Sequence, residues 1–298
     1  MIRKYINCLC VCFLFSAIPS LSYATSCVIN KCADFPKVTK IKSIEFPATL
    51  LQKKKNQKGL RGTYYIYHFL PKSTVPSPYI VMLPTSGGIN SGSAKTFMRY
   101  TKKLQERSFG VIIVDIFYNT NVVKGTGSRG PLASMAALSS IEFVKQNFNQ
   151  LSNGKFGVLG ESRGAMTTLS LASDTIRHNP LYQNVKYWFD AGVALYPSCG
   201  QQKLTMPVQI FIGELDEWVS AVGCKSWRDT DITQVSSGLL NVHIYKDAHH
   251  LFNRETQKWL HRPTEKDHDL VGRAVKYDAQ ADKDSELKLL KFFSEKLL

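Results

Sequence analysis

Lys155-Phe156-Gly157-Val158-Leu159-Gly160-Glu161-Ser162-Arg163-Gly164 is an apolar strand that runs straight into a Gly-x-Ser-x-Gly turn. Lys155 to Leu159 reads as a buried strand, and the residues after Gly164 carry a helical pattern through about Ser173. A serine on so tight a strand-to-helix turn projects its hydroxyl clear of the sheet. The two glycines let backbone and helix approach without a Cβ between them. The new helix also points the positive end of its dipole at any negative charge that develops beside the hydroxyl. The motif alone is common, and its context gives it weight.

The same alternation extends outward. Thr63 to Leu70 is β-branched and aromatic, an early strand. Tyr79 to Leu83 is a short apolar run ending in Pro84-Thr85-Ser86-Gly87-Gly88, a buried strand leading into a tight loop. Ala94 to Arg107 reads as a helix, Gly110 to Phe117 as a strand, 119–130 as a polar glycine-rich loop and Leu132 to Phe148 as a helix. Phe189 to Leu195, Val208 to Ile212 and Leu240 to Tyr245 are further strands, and Ser285 to Leu297 is a closing amphipathic helix. Apolar strands alternating with helices specify an α/β domain with a mainly parallel sheet covered on both faces. The chain has 298 residues, enough for one such domain over 25–298.

A serine hydroxyl needs a base, and the base needs a partner that fixes its tautomer. The strand Val208–Ile212 ends in Gly213-Glu214-Leu215-Asp216-Glu217-Trp218, and Leu240–Tyr245 in Lys246-Asp247-Ala248-His249-His250-Leu251-Phe252. Carboxylates and histidines thus follow the carboxyl ends of successive strands, where open α/β sheets build their sites. Glu214, Asp216 and Glu217 compete as the acid, and His249 competes with His250 as the base. Paired histidines also raise a metal site, but no third ligand stands at a zinc-like spacing. His68 and His243 lie in strand patterns and read as packing residues; His178, His261 and His268 read as surface residues.

The amino terminus has its own character. Arg3 and Lys4 precede an apolar run from Ile6 to Ile18, and Ser22-Tyr23-Ala24 closes it with small residues at the two positions a signal peptidase reads. This describes a secretory signal peptide over 1–24, with export to the periplasm or beyond; a retained anchor and a lipidated Cys27 are weaker readings. Cys8, Cys10 and Cys12 would leave with it, and Cys27, Cys32, Cys199 and Cys224 would remain. An even number in an oxidising compartment suggests two disulfides, most simply Cys27–Cys32 and Cys199–Cys224, although three pairings are open. The processed chain keeps 36 cationic against 23 acidic residues, a formal +13. That favours anionic surfaces or substrates. No basic run is interleaved with aromatics, so no nucleic-acid partner is expected, and Lys53-Lys54-Lys55 with Lys58 and Arg61 reads as a solvated loop. After processing no stable membrane span is expected either.

From Thr63 to its end the chain resembles the dienelactone hydrolase-like branch of the α/β-hydrolases. Gly160-Glu161-Ser162-Arg163-Gly164, Tyr196-Pro197-Ser198-Cys199, Gly213–Trp218 and Tyr245–Phe252 carry the resemblance. It implies the α/β-hydrolase fold with Ser162 as nucleophile. It places the acid at Asp216, and an Ala-x-His-x-Phe pattern selects His250 as the base. It assigns the oxyanion donors to the backbone N–H groups of Ser86 and Arg163, with Thr85 in reserve. Trp218 followed by Cys224, with Cys199 after the preceding strand, resembles an exported subset and supports the Cys199–Cys224 pairing. Two departures stand out: the founding members use cysteine where this chain has Ser162, and Pro84-Thr85 replaces a usual His-Gly.

The expectation is therefore hydrolysis of a small-molecule or surface-attached carboxylic ester through an acyl-enzyme, with no metal or organic cofactor. A serine peptidase or a thioesterase on the same fold, or a binding protein that kept the scaffold, are the alternatives.

Overall fold

A computed structural model describes residues 39–42, 63–116, 130–255 and 274–298. The expected signal peptide 1–24, Cys27, Cys32, the lysine run 53–61, residues 117–129 with nearly all of the expected loop 119–130, His261 and His268 lie outside the described residues.

Eight strands form one sheet: β1 (Thr39–Lys42), β2 (Thr63–Phe69), β3 (Ser77–Leu83), β4 (Gly110–Asp115), β5 (Ser152–Glu161), β6 (Ala191–Leu195), β7 (Val208–Gly213) and β8 (Leu240–Tyr245). Their spatial order is β1-β2-β4-β3-β5-β6-β7-β8. From β4 to β8 every pairing is parallel, while β1 and β2 run antiparallel at one edge. The parallel strands must be apolar on both faces because helices cover both. Accordingly every residue of β3, β4, β6 and β7 is buried.

Two glycines show how closely the helical layers approach. Val158 of β5 pairs with Gly192 of β6, so Gly157, one residue earlier, faces the other way. A Cβ on Gly157 would meet Phe293 at 2.8 Å, and one on Gly192 would meet Thr168 at 3.0 Å. The helix α7 (Ala279–Leu297) therefore covers one face and α3 (Arg163–Ala172) the other. Helix α1 (Ser91–Gln105) packs against α7, and α2 (Gly130–Asn147) packs against α3. The short helices α4 (Asp174–Arg177), α5 (Ala221–Thr230) and α6 (Ile232–Ser236) complete the described set.

Some boundaries differ from the expected ones. The last helix starts at Ala279 rather than Ser285, because Asp278 caps it by accepting from Gln280 and Ala281 N–H at 3.0 and 2.9 Å. The added turn looks polar in sequence, yet Asp282 is buried against Arg99 at 2.6 Å. Helix α1 starts at Ser91 rather than Ala94, in a capping box closed by Asn90 and Ser93. The strand expected from Phe189 begins at Ala191. His68 packs among Tyr79, Phe143 and Phe148, His243 stacks on Phe211 and His178 is exposed, as their sequence positions suggest.

Candidate functional site

The turn after β5 is sterically forced. A Cβ on Gly160 would lie 2.1 Å from the carbonyl oxygen of Gly164, and one on Gly164 would lie 2.2 Å from that of Leu83 in β3. No real Cβ tolerates such contacts, so both motif positions require glycine. Between them Ser162 adopts φ 51° and ψ −111°, a conformation an L-residue enters only under strain. Its N–H extends the β5–β6 pairing by donating to Leu195 at 2.9 Å, and its carbonyl accepts from Met166 at 3.0 Å to open the helix.

β7 ends at Gly213, and the chain turns so that Leu215 N–H donates to the Ala248 carbonyl at 3.0 Å. This ties the loop after β7 to the loop after β8. Asp216 Oδ1 accepts from the N–H groups of Trp218 and Val219, each at 2.9 Å, which leaves Oδ2 free to face across. Oδ2 lies 2.7 Å from His250 Nδ1, and the side chains are 0 % and 6 % exposed. His250 Nε2 in turn lies 3.1 Å from Ser162 Oγ. The ring is fixed by Tyr196, edge-on at 4.7 Å, and by Trp218, stacked at 6.0 Å. Leu251, directly after it, takes a positive φ of 59° that swings the chain back toward the sheet.

The competing residues stand elsewhere. Glu214 and Glu217 are exposed, and Glu217 accepts from the backbone N–H of Ala274 at 2.6 Å. His249 is half-buried, with its Nδ1 lacking a hydrogen-bond partner among the described residues. The structure thus joins Ser162, His250 and Asp216, and leaves Glu214, Glu217 and His249 out.

Ser86 sits at an exposed turn that is closed by Gly88 N–H donating to Thr85 at 2.9 Å. Among the described residues neither the Ser86 nor the Arg163 N–H donates to an internal acceptor. Both residues line a small cleft whose walls include Leu83, Val114, Ile116 and Ala133. Cys199, after β6, is bonded to Cys224 in α5, with a Cα–Cα distance of 4.9 Å. Among the described residues no group of three or more His, Cys, Asp or Glu side chains could hold a metal, and no helix is long and apolar enough to cross a membrane.

A buried polar cluster beneath the site has no counterpart in the sequence reading. Glu161, fully buried, accepts from Asn253 Nδ2 at 2.8 Å on one oxygen and from Arg254 Nη2 at 2.7 Å on the other. Tyr196 OH donates to Asn253 Oδ1, and Asn253 Nδ2 also donates to Tyr100 OH, both at 3.0 Å. Burial opposes the Arg254 charge, but Glu161 and Tyr196 outweigh it and raise the pKa above the ordinary value. Burial first, then Glu161, raises that of Tyr196. The sequence signal for this cluster is slight: a lone acid at the end of an apolar strand and a lone base four residues past His250.

The profile of the dienelactone hydrolase family matches residues 65–297. In fold the chain is similar to a dienelactone hydrolase-like promiscuous phosphotriesterase from metagenomic libraries, at 16 % identity and a TM-score of 0.59, covering 88 % of this chain and 99 % of that one. It is similar to esterase 2 of Thermogutta terrifontis, solved phosphorylated by paraoxon, at 13 % identity and 0.58, covering 88 % and 95 %. It is also similar to an esterase of Pyrococcus furiosus at 12 % identity and 0.58, covering 90 % and 94 %. At these identities the likeness is one of fold. No curated protein sequence gives a significant match.

Proposed function

Because the chain belongs to the dienelactone hydrolase family, we propose that it is an exported serine esterase in which Ser162, His250 and Asp216 carry out acyl transfer to water. One observation carries the reading: the two hydrogen bonds, 2.7 and 3.1 Å, that link Asp216 to His250 and His250 to Ser162. The Asp216 carboxylate holds the proton on Nδ1, so Nε2 is the free lone pair facing the hydroxyl. As Ser162 Oγ attacks the ester carbonyl, its proton passes to Nε2 and the carbonyl becomes an oxyanion. The Ser86 and Arg163 N–H groups receive that charge beside the first turn of α3; removing one such donor costs about 3 kcal/mol of barrier. His250 then protonates the leaving alcohol. Water, deprotonated by the same imidazole, cleaves the acyl-serine and restores the hydroxyl.

Export is supported by the signal-like residues 1–24 and by the Cys199–Cys224 bond, since disulfides persist in oxidising compartments. The experiment is covalent labelling of the mature protein with an organophosphonate, read by mass spectrometry, alongside hydrolysis of short nitrophenyl esters. Label on Ser162, lost together with turnover in Ser162→Ala and His250→Ala but kept in His249→Ala, is the expected result. Folded, disulfide-intact protein that takes no label would overturn the reading.

A further inference from the structure

The base and the nucleophile belong to strands that are not neighbours. His250 follows β8 at the sheet edge and Ser162 follows β5, three strands away across β7 and β6. At the ordinary strand spacing that is a span of about 14 Å, which the loop after Tyr245 must cross and hold to within the tolerance of a hydrogen bond. Over β7 the Ala248 carbonyl rests against the Gly213 backbone. Over β6 the Tyr196 ring supports His250 and Phe252, and its hydroxyl holds Asn253. At the far end only a contact with β5 itself can register the loop against Ser162.

We infer that Glu161, the residue directly before Ser162, is the anchor for that loop, and that Asn253 and Arg254 are positioning residues which set the Ser162–His250 distance by gripping one Glu161 oxygen each. The inference rests on the proposed pairing of Ser162 with His250. Both carboxylate oxygens are engaged, and Glu161, Asn253 and Arg254 are all buried, so solvent does not compete for the grip. Arg99 steadies the same segment from outside, donating to the Asn253 carbonyl at 3.3 Å and pairing with Glu255 at 3.3 Å. A charge pair left whole in so dry a place is costly to break, because either partner alone is an uncompensated buried charge. The network therefore transmits the β5 position to His250 as a rigid link.

The test reads the imidazole's proximity without relying on any ester. In Ser162→Cys a thiol takes the place of the hydroxyl, and a neighbouring imidazole lowers its pKa below the free value of about 8.5. Iodoacetamide alkylation of that introduced thiol is followed against pH in the full disulfide-bonded protein. The expected result is a depressed limb in Ser162→Cys that moves about one unit back toward the free-thiol value when Asn253→Ala is added. Arg254→Lys, which keeps the buried charge with a shorter reach, is expected to give a smaller shift in the same direction, and it carries the test alone if Asn253→Ala does not fold. In the serine enzyme Asn253→Ala should lower kcat on nitrophenyl acetate by about a hundredfold with KM within about twofold. Folded variants that keep the parent limb and the parent kcat would overturn the inference. A Ser162→Cys protein that already alkylates as a free thiol would overturn the pairing of Ser162 with His250, and the positioning role with it.

Discussion

Gly213 and the carbonyl of Ala248 touch so closely that a Cβ on Gly213 would lie 2.2 Å from the Ala248 oxygen. The end of the acid-bearing strand and the approach to His250 are thereby fixed against each other by backbone alone. Gly213→Ala should drive the two loops apart. The new Cβ would press on backbone atoms, which cannot yield without moving Asp216 or His250. The variant should lose about a hundredfold in kcat, with stability reduced by a few kcal/mol, measured by ester hydrolysis and chemical denaturation. Unchanged turnover would show that the contact does not govern the pair.

The three carboxylates after β7 differ in what they touch. Asp216 alone reaches His250, while Glu214 and Glu217 are exposed. Asp216→Asn keeps the shape but offers its amide to the wrong tautomer, and should lower kcat by about four orders of magnitude. Glu214→Gln and Glu217→Gln should leave kcat within about threefold of the parent, because neither removes a group the imidazole uses.

Acid should destabilise the fold through two strand histidines. Burial lowers the His68 pKa from 6.5 to about 4, and burial, with a smaller push from Lys288, does the same for His243. Between those values the unfolded chain binds protons that the folded chain refuses, so unfolding takes up protons and stability falls as pH drops. The contribution is whole above pH 6.5, diminishes toward about pH 4 and changes no further below. His68→Phe, which keeps the contacts with Phe143, Phe148 and Tyr79, should flatten part of the decline in melting temperature across that window. A slope equal to the parent's would mean that His68 is not one of its sources.

The bond between Cys199 and Cys224 joins residues with a sequence separation of 25, a length for which cross-linking contributes about 3.5 kcal/mol through the unfolded chain. The double variant Cys199→Ser, Cys224→Ser should lose stability of that order in urea titration. Its turnover should fall too, since Asp216 lies between the two cysteines. Loss of stability with full turnover would separate the bond from the acid loop.

The central sheet is legible in the sequence because its strands are short apolar runs bounded by turn residues, a pattern that only burial on both faces produces. The strand Leu240–Tyr245 matches its expected bounds to the residue. β1 is not legible: four residues, Thr-Lys-Ile-Lys, pair antiparallel with β2, and so short a polar edge strand leaves little pattern. Helix α5 leaves as faint a trace, because its buried side rests on only Ala221, Cys224 and Trp227. The chemistry-bearing side chains lie in recognisable loops, but a choice between adjacent histidines depends on where each ring points. Here the positive φ values at Asp247 and Leu251 shape that turn. The Glu161–Arg254 pair joins positions far apart in the chain, which no local periodicity encodes.

The twisted backbone at Ser162 sets what folds best against what works. Glycine would sit there at ease, with no Cβ to crowd the turn, so Ser162→Gly is expected to yield a hardier molecule that turns nothing over. Durability alone would favour losing the hydroxyl at this position, so stability and turnover are expected to move in opposite directions there.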